Sequence, residues 1–436
     1  MEGLRDQATA ELAELAEKAF AQRPRRALRL LLGVIVLAAS FAVPQRAWAY
    51  SVLAHEANVD AVWDSAIQPL LQRRFPGITR QQLLDARAYA YGGSVIQDLG
   101  YYPFGNKFFS NLLHYVRTGD FVETMIRDAQ NADEYAFALG ALAHYAADNT
   151  GHPEAVNRAV ALMFPKLRAK YGDRITYVQA RAEHVLVEFS FDIVEVASGS
   201  YLPETYHSFI GFQVAKPVLE RAFRDTYALE MKDVFGDEDL AISTYRYAVS
   251  QIIPELTRAA WRDKHDEIAR LVPGVTEDRF VFRYTRQQYD REFGATYRKP
   301  GLFARFLGIV YRVLPKIGPL KPLSFKAPTA EAEKLFTESL EDTRARYTAL
   351  LASVGSGRLN LANTDFDTGR PSTYGEYKLA DETYADLLKK LEGQKVAKAP
   401  RELLTNIRAF YTRGSVPKKV QRRLAALNDD GQRRNR

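Results

Sequence analysis

One predicted helix carries two side chains that can bind a metal ion, and a third follows directly after it. His144 and Asp148 are four residues apart, so both project from one face of this alanine-rich helix. His152 follows in a tight turn, which Gly151 and Pro153 are predicted to form by ending the helix. The chain contains no cysteine, so a zinc site must use His, Asp, Glu and backbone groups.

A second helix repeats this pattern, because His184 and Glu188 are also four residues apart. His55, Asp98 and His114 precede both pairs, so five of the seven histidines of the chain lie in this part of it. A single pair of this kind is more often a surface ion pair. Several pairs in one segment instead predict a centre in which carboxylates bridge neighbouring zinc ions.

The order His, Asp, His, His-x3-Asp, His, His-x3-Glu resembles that of the zinc-dependent phospholipase C family, which is related to the S1/P1-type nucleases. The resemblance covers residues 50–192, or residues 50–273 if the later helices belong to the same bundle. It implies an all-α multi-helix bundle around a three-zinc cluster, with Zn²⁺ as the cofactor. It also implies a phosphodiester hydrolase that acts on phospholipid.

The resemblance implies nine zinc ligands, which in chain order are Tyr50, His55, Asp98, His114, His144, Asp148, His152, His184 and Glu188. One zinc would be bound by His55 and by the α-amino and carbonyl groups of a mature N-terminal Tyr50. Asp148 would bind a second zinc and bridge it to the first. The third zinc would be held by His152, His184 and Glu188. Asp98 is the candidate general base, as well as a ligand.

Three aromatic residues near the loop aspartate are candidates for binding the substrate headgroup: Tyr101, Tyr102 and Phe108. Aromatic faces can surround a quaternary ammonium group. The last ligand pair is His-x3-Glu, as in the phospholipases, whereas the nucleases carry His-x3-Asp. The pair therefore favours a phospholipase over the alternative of a single-strand-specific zinc nuclease. A non-catalytic zinc-containing envelope protein is the second alternative.

The first 49 residues have the pattern of a secretory signal. An apolar run at residues 30–43 follows four arginines, and the small-x-small triplet at residues 47–49 ends the segment. The run is short for a membrane span, which needs about 20 residues. We therefore expect export, with cleavage after Ala49 or retention as a signal anchor.

Hydrophobic periodicity predicts helices through most of the remaining chain, with a catalytic domain at residues 50–273 and a mainly helical accessory region at residues 274–436. The net charge of +7 lies in the two ends, because residues 391–436 hold twelve Lys/Arg and four Asp/Glu, and residues 1–49 hold seven Lys/Arg and five Asp/Glu. The nearly neutral body argues against a stable nucleic-acid partner. The apolar and basic segment 299–322 is interpreted as a buried helix or a contact with the membrane surface. Protein partners are not predicted.

The triplet at residues 367–369, Asp-Thr-Gly, matches that of aspartic proteases. An isolated triplet in a chain predicted to be helical is interpreted as coincidence, and the loop at residues 355–377 that contains it is assigned no role.

Overall fold

The computed structural model describes residues 52–102, 104–198, 212–249, 261–262, 264–266, 268–270, 274–277, 325–393, 399–412 and 416–432. Its α-helices, in chain order, are α1 Val52–Val62, α2 Gln68–Arg74, α3 Arg80–Val95, α4 Lys107–Tyr115, α5 Thr118–Asp128, α6 Ala132–Gly151, α7 Asn157–Met163, α8 Pro165–Tyr171, α9 Arg181–Ser198, α10 Lys216–Tyr227, α11 Glu238–Tyr247, α12 Ala330–Gly355, α13 Lys378–Gly393, α14 Arg401–Phe410 and α15 Lys418–Gln432. Strands β1 Thr364–Asp365 and β2 Arg370–Pro371 form an antiparallel pair. The predicted all-α class is confirmed, and all the described residues belong to one compact unit.

Helices α3 and α6 form the centre of the bundle, where they approach each other closely. A Cβ atom on Gly93 of α3 would lie 1.9 Å from the carbonyl oxygen of Phe137, and one on Gly140 of α6 would lie 1.9 Å from that of Ala90. No side chain fits at such distances, so the two glycines and the surrounding alanines allow backbone-to-backbone contact. Helix α6 begins at the N-cap Asn131, whose side chain accepts a hydrogen bond from the amide of Glu134.

This close contact sets the position of a candidate metal ligand. Nδ1 of His144 on α6 lies 2.9 Å from the carbonyl oxygen of Ser94 on α3. We expect Gly140→Ala to lower the free energy of unfolding by about 3 kcal/mol, because overpacking of a tight contact costs roughly 1–3 kcal/mol. Urea unfolding checks this value. The control is Gly236→Ala, since a Cβ atom there would meet no atom within 4 Å. Equal stability of the two variants would contradict the proposed contact.

The helix boundaries confirm one prediction and correct two. A threonine before Gln82 at the start of a helical pattern predicts an N-cap, and Thr79 does cap α3 in a reciprocal capping box with Gln82. The glycine-rich composition of residues 92–105 predicts a loop, and this prediction is wrong in its first half, because α3 continues to Val95 and a 3₁₀ helix follows at Ile96–Tyr101. The glycines there serve helix packing rather than a turn.

The second correction concerns the end of α6. The sequence predicted that regular structure stops at Gly151 and Pro153, but α6 continues into a π-helical turn, His152–Val156, and then into α7. Proline lacks the N–H group of a regular helical hydrogen bond, and the local π-helical turn accommodates it within the continuous helical stretch. The turn keeps His152 buried beside α6.

The described residues after 324 pack against the central helices. The hydroxyl group of Tyr347 on α12 donates to the carbonyl oxygen of Leu139 on α6, at 2.8 Å. Thr364 and Thr118 exchange two hydrogen bonds, from Thr118 Oγ1 to the carbonyl oxygen of Thr364 and from the Thr364 amide to Thr118 Oγ1. The short strands in this region were not predicted. They form a two-residue pairing, which is too brief to produce an alternating pattern.

Two predicted segments lie outside the described residues: the signal at residues 1–49 and the apolar, basic segment at residues 299–322. The boundaries at residues 49 and 273 stay predictions. Within the described ranges, every helix is too short or too polar to cross a membrane.

Candidate metal centre

The structure brings eight of the nine predicted ligands together, and Tyr50 lies outside the described residues. They form three groups, and within each group one ligand atom per residue lies within 4.8 Å of the others. The groups are His55, His144 and Asp148; Asp98, His114 and His144; and His152, His184 and Glu188. All eight side chains are buried.

Asp148 lies where the first two groups meet. Its Oδ1 is 3.4 Å from Nε2 of His55, which α1 contributes, and the two imidazole rings of His55 and His144 are stacked. Its Oδ2 is 3.3 Å from Nε2 of His114 and 3.1 Å from Nε2 of His144. Three imidazoles from α1, α4 and α6 therefore surround one carboxylate, which has an oxygen for each of two neighbouring groups.

Backbone carbonyl groups fix the orientation of two of these imidazoles. Nδ1 of His114 lies 2.7 Å from the carbonyl oxygen of Ser110, and Nδ1 of His144 lies 2.9 Å from that of Ser94. A carbonyl group only accepts, so Nδ1 carries the proton in both rings. In the neutral form of each ring, Nε2 then offers a lone pair on the side of Asp148, which is the usual arrangement of a metal-binding histidine.

His184 is oriented in the same way through its other nitrogen. Its Nε2 lies 2.8 Å from the carbonyl oxygen of Ile175, so Nε2 donates and Nδ1 keeps the lone pair. Nδ1 is 3.3 Å from Oε1 of Glu188, one turn further along α9. The predicted pairing of His184 with Glu188 on one helix face thus leaves a nitrogen and a carboxylate oxygen directed to one point.

Several carboxylate oxygens in the centre make no hydrogen bond to any of the described residues: Asp98 Oδ1, both oxygens of Asp148 and Glu188 Oε2. A buried carboxylate without hydrogen bonds is strongly unfavourable unless a cation compensates it. Nitrogen and oxygen donors in groups of three or more suit Zn²⁺. The donor set therefore fits zinc, which its residues would hold in these three groups.

The electrostatics of the first two groups also favour a cation. Burial favours the neutral imidazole of His114, but the carboxylates of Asp148 and Asp98 outweigh burial and raise its pKa to about 10. Burial favours the protonated form of Asp148, yet the imidazoles of His144 and His114 hold its pKa well below the usual range. A metal ion would take the place of the proton that these groups retain without it.

The third group favours neutral imidazoles. Burial lowers the pKa of His184 to about 4 and that of His152 to about 3, so both rings are unprotonated at neutral pH. An imidazole must be neutral to coordinate a metal ion. The low pKa values therefore keep both side chains ready to bind.

We predict that acid destabilises the metal-free protein through His184. The pKa of His184 is lower in the folded than in the unfolded state, so the unfolded state binds more protons between about pH 6.5 and 4. Relative to His184→Gln, metal-free wild type should lose up to about 1.4 kcal/mol of unfolding free energy per pH unit across this window. Urea unfolding at pH 7, 6 and 5 measures the difference. A constant difference would contradict a buried, neutral His184.

Two residues at the centre were not predicted, and both lie in the loop at residues 355–377, to which no role was assigned. The ring of Phe366 lies 5.3 Å from that of His114, 6.1 Å from that of His144 and 5.6 Å from that of Tyr145. Its amide donates to the carbonyl oxygen of His114 at 3.1 Å. Phe366 is fully buried and covers this side of the centre.

Asp367 is the second missed residue. Its Oδ1 lies 3.4 Å from Nε2 of His152, and the hydroxyl groups of Tyr115 and Tyr377 both donate to its Oδ2. Burial raises the pKa of Asp367 to about 6, although the two tyrosine hydroxyls act against this rise. The Asp-Thr-Gly triplet was the only signal in the sequence, and it indicated a different class of enzyme.

The three predicted headgroup residues occupy different surroundings. The ring of Tyr101 lies 5.6 Å from that of His114, beside the metal centre. Tyr102 packs against Tyr245, with ring centroids 3.9 Å apart. Phe108 lies on α4, where the ammonium group of Lys390 is 5.4 Å from its ring centroid. Tyr101 thus contacts a candidate ligand, and the role of all three stays a prediction.

Comparison with known families identifies the central part of the chain. Residues 55–237 match the family model for zinc dependent phospholipase C, so this part is a zinc-dependent phospholipase C domain, as the order of ligands predicted. No curated protein and no solved structure gives a significant match. The family is one of phospholipase C hydrolases, and the matched residues 55–237 are accordingly a domain of the zinc phospholipase C type.

Proposed function

We propose that the protein is exported, binds three Zn²⁺ ions and hydrolyses the glycerol-side phosphodiester bond of a phospholipid. The products are diacylglycerol and a phosphorylated headgroup. One observation carries this proposal: eight predicted ligands converge in three buried groups that lie within the matched domain. The pair of His184 with Glu188, rather than with an aspartate, favours phospholipid over nucleic acid.

When bound, zinc would neutralise the charge on the phosphate oxygens and lower the pKa of the attacking water. Residues of the chain would supply the base and exclude bulk water. Asp98, whose Oδ1 makes no hydrogen bond to the described residues, would take the proton from that water. Burial raises the pKa of Asp98, which makes it a stronger base in the folded chain. Phe366 would limit the entry of bulk water from the side that it covers.

Hydrolysis of phospholipid vesicles tests the proposal. The purified, zinc-loaded protein is assayed for diacylglycerol and phosphorylated headgroup, and in parallel for cleavage of single-stranded DNA. We expect diacylglycerol release by wild type and by Glu183→Gln, and its loss in Glu188→Gln. Glu183 is a suitable control, because it lies on α9 but in none of the three groups. Cleavage of DNA without release of diacylglycerol would overturn the proposal in favour of a nuclease.

The proposed export has a separate test. Expression of the full chain in a bacterium with a secretory pathway should give a mature protein that begins at Tyr50. N-terminal sequencing of the exported fraction decides this point. Retention of the chain inside the cell, with residues 1–49 still attached and no membrane association, would contradict export.

A further inference from the structure

His152 differs from three of the other candidate histidines in how its ring is oriented. His114, His144 and His184 each donate one ring N–H to a backbone carbonyl oxygen. Neither ring nitrogen of His152 forms a hydrogen bond with any of the described residues. The group that faces it is the carboxylate of Asp367, whose Oδ1 lies 3.4 Å from Nε2. Metal-binding histidines almost always give their second nitrogen to a carbonyl, a carboxylate or water.

Asp367 is held rigidly in this position. Its Oδ2 accepts hydrogen bonds from the hydroxyl groups of Tyr115 and Tyr377, so Oδ1 is the oxygen that faces His152. Its main-chain carbonyl oxygen accepts from Nδ2 of Asn157 at 2.8 Å. The residue is only 1 % exposed. A buried aspartate held by three hydrogen bonds, two of them to its carboxylate, can fix the orientation of a neighbouring ring.

The segment that carries Asp367 is fastened to the central helices on both sides. Before it, Oγ1 of Thr364 donates to Oδ1 of Asn149 on α6 at 2.7 Å. After it, Oγ of Ser372 donates to the carbonyl oxygen of Tyr115 on α4 at 2.8 Å. Asp367 is therefore part of the bundle that holds the metal centre, although it lies beyond the matched residues 55–237.

We propose that Asp367 is a positioning residue for the metal centre, which accepts the Nε2–H of His152 and leaves Nδ1 to bind the ion with His184 and Glu188. Asp367 belongs to none of the three groups of candidate ligands among the described residues, in which the ligand atoms lie within 4.8 Å of one another. It therefore acts through His152 rather than as a ligand. The 3.4 Å separation is long for a hydrogen bond, and such contacts tighten when a site is loaded. This role rests on the proposed metal centre, but not on phospholipid as substrate.

The tautomer of His152 tests this role directly in the wild-type protein. Protein labelled with ¹⁵N-histidine and loaded with zinc is studied by long-range ¹H–¹⁵N correlation, and the His152 signals are assigned by their loss in His152→Gln. We expect the proton on Nε2 and the metal on Nδ1, as for His184. A proton on Nδ1 would overturn the proposal, whether or not any variant of Asp367 folds.

Zinc affinity supplies the second test, by competition with a chromogenic chelator. Asp367→Asn keeps the size of the side chain and removes its charge, and should weaken binding at one of the three sites by about 10–100-fold. The matched control is Asp365→Asn, a second buried carboxylate of this loop, whose Oδ1 accepts from the amide of Thr368. We expect the control to change zinc affinity by less than about threefold, because Asp365 does not face a candidate ligand.

The outcomes separate this role from the proposed function. Unchanged zinc affinity in Asp367→Asn, or an equal loss in Asp365→Asn, would overturn the positioning role. Zinc bound with the expected tautomer but no hydrolysis of phospholipid would overturn the proposed substrate and leave the role intact. Failure of the wild-type protein to bind zinc would overturn both.

Discussion

Replacing Asp148 by asparagine should reduce phospholipid hydrolysis by a factor of about 10³ or more, and should release two of the three zinc ions. Asp148 is the carboxylate that contacts His55, His114 and His144, at 3.1–3.4 Å. Loss of its charge removes the carboxylate of the first group, which also faces His114 of the second group. Removal of a single preorganised electrostatic group from an active site already costs about 10²–10³-fold in rate.

A matched control separates this effect from simple destabilisation. Asp60 is also a largely buried aspartate of the bundle, and its Oδ1 accepts hydrogen bonds from Arg87 and Tyr91 rather than facing a candidate ligand. Asp60→Asn should lower the free energy of unfolding, yet keep three zinc ions and most of the activity. Retention of three zinc ions by Asp148→Asn would show that Asp148 does not bridge two sites.

Removal of zinc by a chelator should lower the midpoint of thermal unfolding by about 10 °C or more. A ligand present at 1,000 times its dissociation constant contributes about 4 kcal/mol to stability, so three such sites contribute on the order of 10 kcal/mol. In a domain of 150–250 residues, a change of 1 kcal/mol in unfolding free energy shifts the midpoint of thermal unfolding by about 2–4 °C. The shift is smaller in a larger chain. The buried carboxylates of Asp98, Asp148 and Glu188 each have an oxygen that makes no hydrogen bond to the described residues, and a bound cation would compensate it.

Differential scanning calorimetry with and without chelator measures this shift. Added Zn²⁺ should restore the midpoint, whereas Ca²⁺ and Mg²⁺ should not, because both ions prefer oxygen ligands and five of the eight described candidate ligands are histidines. An unchanged midpoint after complete removal of zinc would mean that the buried groups are compensated without metal.

The parts of the fold that depend on local sequence were predictable. The pairs of His144 with Asp148 and of His184 with Glu188 follow from the helical period, and Thr79 followed by Gln82 indicates the start of α3. Such features require only a few adjacent residues. The ligands in these pairs were identified for that reason, and the family resemblance added His55, Asp98 and His114.

The missed features depend on contacts between distant segments. The glycines of α3 resemble a loop in sequence, and only their packing against α6 explains why the helix continues through them. Asp367 and Phe366 lie far along the chain from His152 and His114, in a segment rich in turn-forming residues. No local period connects them to the metal centre, because hydrogen bonds to α4 and α6 bring that segment into place.

Metal analysis of the exported protein tests the central claim most directly. Protein expressed with residues 1–49 and purified after export is examined for elemental content, and its N-terminus is sequenced from the same sample. We predict about three zinc ions per chain on a protein that begins at Tyr50. The absence of zinc from correctly processed protein, even after incubation with Zn²⁺, would contradict the zinc centre and the phospholipase activity proposed for it.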